Sequence, residues 1–362
     1  MRGGGPQKTG YRKNAAVLLL TVAFLFWLWG AYPLAASAGE GDAEEVLLEG
    51  LLSCEAVIDL AGYALPASAL GEVYARLLYG YPELFHVAPR LSYTYREVTV
   101  GEQRLRTVAE VYPGYTMTGE ELSLARALYR DTVAAILSEM EVALGGRIRT
   151  EAETVLWLHD FLADRYAYDT RTVGNATAYG LFRDGVGICQ AYALAFVALA
   201  RGAGLEADLV TSDAMDHAWN HVRVEGVWYH VDVTRDDPIP APGGREEVDH
   251  TRLLRSDAGM DALGYHGYSC SGGHICADTR FEPAGEGALA GLHSALIPLG
   301  AYWLGTVDGA PVAVDVQEDG MTVSRAGDVD LDGEVTPADL LVVYHPLYPD
   351  AWRVWLRGAL AG

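Results

Sequence analysis

From Glu44 onward the chain shifts between helical and strand spacing of its apolar residues. Glu44 to Tyr79 reads as mostly helical, interrupted at Pro66. From Leu91 to Val111 apolar and polar residues alternate (LSYTYREV, then LRTVAEVY), the pattern of a half-buried hairpin. Met117 to Leu144 is a predicted helix. Thr118 stands ahead of Glu120 and Glu121 at its start, and Gly145-Gly146 stop it. A further helix is predicted over Thr150 to Ala167, capped by Thr150, with Val155, Leu158, Leu162 and Tyr166 along one apolar face.

Val173 to Gly187 reads as a glycine-containing loop, and an alanine-rich helix runs from about Cys189 to Gly202. Strands follow at Ala207 to Thr211, His217 to Val224 and Val227 to Val233. Pro238 to Gly244 is a proline-rich loop. Ala301 to Val323 reads as a small antiparallel finish with turns at Asp308-Gly309 and Asp319-Gly320. The predicted class is α+β. The pattern divides the chain into 1–38, an N-terminal α+β region 39–149, a domain 150–324, and an added module 325–362.

Composition narrows the function classes. Half of the 362 residues are hydrophobic, enough for sizeable cores. Asp and Glu number 49 against 26 Lys and Arg, a formal charge of −23. That balance argues against nucleic acid as a partner, because phosphate binding needs a basic face.

The first 38 residues carry an export pattern. Arg2, Lys8, Arg12 and Lys13 precede the uncharged apolar run Ala15 to Gly30, and Ala36-Ser37-Ala38 gives a small-x-small cleavage site. Extended through Leu34, the same run is long enough to serve as an uncleaved anchor. The expectation is a secreted protein, or an extracytoplasmic one held at the membrane. Of the four cysteines, Cys270 and Cys276 lie close together in CSGGHIC. They are open to a disulfide, to two free thiols, or to a metal site with His266 and His274 beside them.

The remaining chemistry converges on three residues. Gly185-Val186-Gly187-Ile188 breaks structure, so Cys189 opens the helix that follows. Unpaired backbone N–H groups and the positive dipole end at such a site favour a thiolate and later an oxyanion. Glu225-Gly226 separates two alternating runs, HAWNHVRV and VWYHVDVT. A two-residue turn there sets residue 224 against 227 and Trp219 against Asp232. His217 then shares a face with Asp232 as its diagonal neighbour, within side-chain reach. A carboxylate beside an imidazole fixes its tautomer and stabilises its charged form. His221 and His230 fall on the same face, so a metal site of His217, His221, His230 and Asp232 is a rival reading.

GVGICQAYALAFVALARGAGL, DHAWNHVRVEGVWYHVDVTRDDP and LHDFLADRYAYDT together resemble the bacterial transglutaminase-like core. The resemblance runs from about Thr150 to Pro238. Weaker similarity covers Tyr81 to Val87, Leu253 to Asp257 and Cys276 to Glu282. It implies a papain-like fold, in which a helix carrying the nucleophilic cysteine packs on an antiparallel sheet. It also implies a Cys189-His217-Asp232 triad acting on a protein or peptide substrate without a catalytic cofactor. Two positions depart from the family pattern. Gly187-Ile188-Cys189 stands where Gly-Val-Cys is usual, and Arg235 stands where Trp is usual. A catalytically silent binding protein on the same fold is the other reading the resemblance permits.

At the C-terminal end, Asp328, Asp330 and Asp332 take positions 1, 3 and 5 of an EF-hand-type calcium loop. Gly333 is at 6, Glu334 supplies a backbone carbonyl at 7, and Asp339 closes at 12 in place of the usual Glu. GDVDLDGEVTPADLLVVYHPL resembles one half of a dockerin, which implies calcium as a structural cofactor and a cohesin-type partner. Dockerins ordinarily carry two such repeats, and PDAWRVWLRGALAG is the candidate remnant of the second.

Overall fold

The computed structural model describes residues 40–100, 103–144, 150–169, 175–237 and 248–282. It also gives the backbone of 15–16, 297–299, 302–307, 310–317 and 320–325. All but two residues of the expected export segment, the expected loop Pro238 to Gly244, and the expected calcium loop Asp328 to Asp339 lie outside the described residues. So do the turns expected at Asp308-Gly309 and Asp319-Gly320, apart from Gly320. The chain divides into two compact units, Met1–Leu124 and Ala125–Gly362.

In the first unit, α1 (Glu40–Leu52) and α2 (Leu70–Gly80) pack with the hairpin of β1 (Val87–Val100) and β2 (Gln103–Tyr115). Leu47 and Leu51 from α1, Val73 and Leu77 from α2, and Leu91, Val108 and Val111 from the hairpin form its core. The stretch Glu44 to Tyr79 is helical at both ends, as expected, but the interruption expected at Pro66 extends over residues 53–69. Between α1 and α2 the chain leaves the helical region altogether, with Cys54 and Ala64 at positive φ and Ile58–Asp59 paired to β2. One proline does not account for this break; a short strand added to a sheet edge does. At the opposite edge Ala15 and Ala16 pair with Thr94 and Tyr93.

The second unit takes up most of α3 (Gly119–Ala143), followed by α4 (Glu151–Arg165). Thr150 caps α4 as expected, and reciprocally. Its hydroxyl accepts from the Glu153 N–H at 3.1 Å, and the Glu153 carboxylate accepts from the Thr150 N–H at 3.0 Å. Burial of α4 goes beyond one face: every residue from Ala152 to Asp160 is buried, His159 and Asp160 included. Tyr166 stands just past the helix, in extended conformation.

The predicted loop after α4 contains a short helix, α5 (Ala178–Asp184), whose N-cap Thr177 accepts from the Gly180 N–H. Then comes α6 (Cys189–Gly202), buried from Ala191 through Ala200. Its approach runs through Gly187. A Cβ there would stand 2.9 Å from the Ala191 Cβ and 3.0 Å from a Leu181 methyl, so only glycine passes.

α6 packs on a four-stranded antiparallel sheet in the order β6-β3-β4-β5, formed by Tyr268–Cys270, Ala207–Ser212, His217–Val224 and Val227–Val231. α7 (Val233–Asp236) and α8 (Asp257–Ala262) follow β5. Four further strands, β7 (Ile297–Leu299), β8 (Tyr302–Val307), β9 (Ala310–Gln317) and β10 (Gly320–Arg325), form an antiparallel meander. No helix among the described residues is long and apolar enough to cross a membrane.

Candidate active site

The turn joining β4 to β5 sets the register on which the site depends. Glu225 and Gly226 both have positive φ, 48° and 80°, as a two-residue turn matching strand twist requires. Val224 faces Val227 and His221 faces His230, so the register is the expected one. β5 ends one residue short of Asp232, which instead caps α7 by accepting the Arg235 N–H at 3.1 Å. His217, at the start of β4, donates from Nε2 to Asp232 Oδ2 at 2.6 Å.

Cys189 is the first residue of α6. Its N-cap, Ile188, offers no side-chain acceptor to the first-turn N–H groups. Cys189 lies beside His217, near enough to raise its pKa, and the ring nitrogen that does not face Asp232 is Nδ1. The three sequence-predicted residues are therefore brought together, with His217 between the thiol and the carboxylate. Burial opposes charging His217, but the Asp232 carboxylate and the neighbouring Cys189 outweigh it and hold its pKa up at about 9. Asp232 has no exposed surface. Burial works against its charge, yet the His217 and Tyr265 hydrogen bonds keep it below the usual carboxylate range.

Further residues complete the surroundings of the three. Tyr265, buried and 33 positions beyond Asp232, donates its hydroxyl to Asp232 Oδ2 at 2.5 Å. The Arg235 guanidinium lies over the Tyr265 ring, 4.7 Å from its centroid. Trp219 stacks beside His217 at 5.6 Å between ring centroids. Tyr168 stands near Cys189, and burial followed by Cys189 raises its phenol pKa.

The four groups of the rival metal reading do not form one set. His217 and Asp232 bond each other, whereas His221 and His230 approach at 3.4 Å between their Nε2 atoms and cluster with Asp257 and Cys276. The indole N–H of Trp219 donates to His230 Nδ1 at 2.9 Å. An indole nitrogen is only a donor, so Nδ1 is the acceptor and the ring proton sits on Nε2. That N–H points to Asp257 Oδ1 at 2.9 Å, leaving no lone pair on Nε2 for a cation. His221 is held neutral, its pKa driven down to about 2 by burial and by His230 and His274.

In a second buried group, both ring nitrogens of His159 face carboxylates, Asp160 at 2.8 Å and Asp236 at 3.2 Å. Asp160 also accepts from His250 at 2.7 Å. This network ties α4 to α7, the turn that Asp232 caps.

Cys270 and Cys276 are free thiols in different surroundings. Cys270 groups with Asp208 and His274, and Cys276 with His221, His230 and Asp257, so the disulfide expected as one alternative is not formed. Burial raises both thiol pKa values. His266 turns away to the Gly264 carbonyl.

Residues 142–233 match the family model of the transglutaminase-like superfamily. A search of the curated proteins found no match. Among solved structures, a TGase crystal structure is 12% identical, with 42% of this chain and 47% of that chain covered at a TM-score of 0.29. A proposed cysteine protease from Cytophaga hutchinsonii is 15% identical, with 49% and 70% covered at 0.25. A proposed protease from Parabacteroides distasonis is 11% identical, with 63% and 60% covered at 0.25. The chain thus spans about half the length of the first of these.

Proposed function

We propose that this protein is an exported thiol enzyme that forms an acyl-thioester on Cys189 from a peptide or glutamine-carboxamide substrate. The observation that carries the reading is His217 hydrogen-bonded to the Asp232 carboxylate and standing beside Cys189. The match of residues 142–233 to a transglutaminase-like family supports the same chemistry.

The Cys189 thiolate attacks the carbonyl carbon, forming a C–S bond and an oxyanion. Backbone N–H groups at the start of α6 face the developing charge. As the tetrahedral species collapses, the C–N bond breaks and the His217 imidazolium gives its proton to the departing amine. Asp232 holds the ring throughout. Water then attacks the thioester carbon, losing its proton to His217; the C–S bond breaks, releasing a carboxylic acid and restoring the Cys189 thiolate beside the imidazolium. When a lysine amine attacks instead, the product is a crosslinking amide. Export by the N-terminal segment, and a calcium-bound dockerin-like tail with a cohesin-type partner, belong to this proposal.

The test uses glutamine-containing peptides with and without a primary amine, read by mass spectrometry. Hydrolysis appears as deamidation or cleavage, and transfer as an amine adduct. Both vanish in Cys189→Ala. A wild-type protein that neither turns over such peptides nor is alkylated at Cys189 is a binding protein, and the enzyme reading falls.

A further inference from the structure

Asp232 is more heavily engaged than orienting one imidazole requires. Its Oδ1 accepts the Arg235 backbone N–H, while its Oδ2 accepts both His217 Nε2–H at 2.6 Å and the Tyr265 hydroxyl at 2.5 Å. The carboxylate is thereby fixed at both oxygens, and rotation about its Cβ–Cγ bond is blocked. The phenol also sits on the oxygen that faces the imidazole. Each hydrogen bond to that oxygen disperses its negative charge, so the Tyr265 bond weakens what Oδ2 offers to His217.

Tyr265 is itself well placed. Its backbone N–H is tied to the Met260 carbonyl behind α8. Its ring meets Trp219 edge to face at 5.1 Å, and Arg235 covers it. The groups that act on the trio are all close at hand. Arg235 and Arg252 bear on Tyr265, and Arg252 also on Asp232, as positive charges. Cys189 and Asp232 bear on His217, and Tyr168, which meets Cys189, lies near Asp216.

We infer that Tyr265 is a positioning residue of this site. It locks the Asp232 carboxylate toward His217 and limits how strongly that carboxylate retains the imidazolium proton. The consequence is an imidazolium able to release its proton to the leaving amine, where an unmoderated buried carboxylate would hold it more firmly. The inference rests on the thiol-enzyme reading for its catalytic meaning, but its structural claim is measurable without turnover.

The experiment follows the His217 imidazole by NMR across pH in full-length protein labelled at its histidine rings, with the resonance assigned by its loss in His217→Gln. Tyr265→Phe removes one oxygen and keeps the ring. It should raise the His217 midpoint by about half a pH unit or more, since Oδ2 then bonds His217 alone. A 3-fluorotyrosine placed at position 265 is a stronger donor of the same shape and should lower the midpoint. The fluorinated protein keeps the test open if Tyr265→Phe does not fold. In peptide turnover, Tyr265→Phe should lower kcat with little change in KM.

Midpoints that stay within about 0.1 unit of wild type, or move with the opposite signs, overturn the role of Tyr265 even when wild type turns over peptide. A wild-type protein with neither turnover nor Cys189 alkylation whose midpoint still moves as expected sinks the enzyme reading and leaves the Tyr265–Asp232–His217 coupling standing.

Discussion

At the scale of single residues, the site is a question of where one proton is kept. His217 is held charged up to about pH 9 by Asp232 and Cys189 against the cost of its burial. A reaction that needs the imidazolium as acid therefore persists through neutral pH and fails as pH rises through about 9. Asp232→Asn replaces the carboxylate with a neutral amide, so the same limb should move toward lower pH. Turnover should fall by roughly two to four orders of magnitude, with KM little changed. A kcat-against-pH profile of both proteins checks this, and an unshifted limb in the variant would remove Asp232 from the triad. The pairing was legible in advance because Glu225-Gly226 announces a two-residue turn, and counting outward from it is arithmetic. Tyr265 was not legible. It reaches Asp232 from a segment after α8, and no spacing rule connects positions 33 residues apart through a fold not yet known.

Elements show the same division between local and tertiary causes. The α4 cap was readable because a capping box is written within four residues. Thr150→Ala removes one acceptor from an end that the Glu153 carboxylate also serves, and should cost about 1 kcal/mol. Thermal unfolding followed by circular dichroism measures that loss, and an unchanged melting temperature would mean the cap contributes nothing net. The all-round burial of α4 could not be read, because His159 and Asp160 look like an outward polar face until Asp236 and His250 supply their partners. The break between α1 and α2 was underestimated for a similar reason. Ile58–Asp59 becomes a strand only because β2 presents an open edge to it. α5 was passed over although Thr177 is an ordinary N-cap, since seven residues give too little periodicity to outweigh a glycine-containing loop.

Across the whole molecule, the proposed calcium loop and the proposed triad lie far apart in sequence. The carboxylates of Asp328, Asp330, Asp332 and Asp339 repel one another without a cation, so bound calcium should stabilise that segment by mass action. Chelation should open residues from about Asp328 onward to limited proteolysis and leave Cys189 alkylation unaltered. Loss of Cys189 labelling on chelation would show that calcium supports the thiol site, against this separation. The division of the chain near residue 124 falls inside α3, where no composition shift marks it.

The turn at Glu225-Gly226 has an evolutionary corollary. His217 and Asp232 share a face only while the number of residues along β4 and β5 keeps its parity. An unbulged insertion or deletion of one residue within either strand turns one partner through the sheet and separates imidazole from carboxylate. Losing or gaining two restores the face and shifts the pair by one pleat. Descendants of this chain are therefore free to drift in length along these strands in even steps, while odd ones survive only where a β-bulge absorbs the extra residue. An indel scan of β4 and β5, scored by Cys189 reactivity, should alternate between dead and partly active variants.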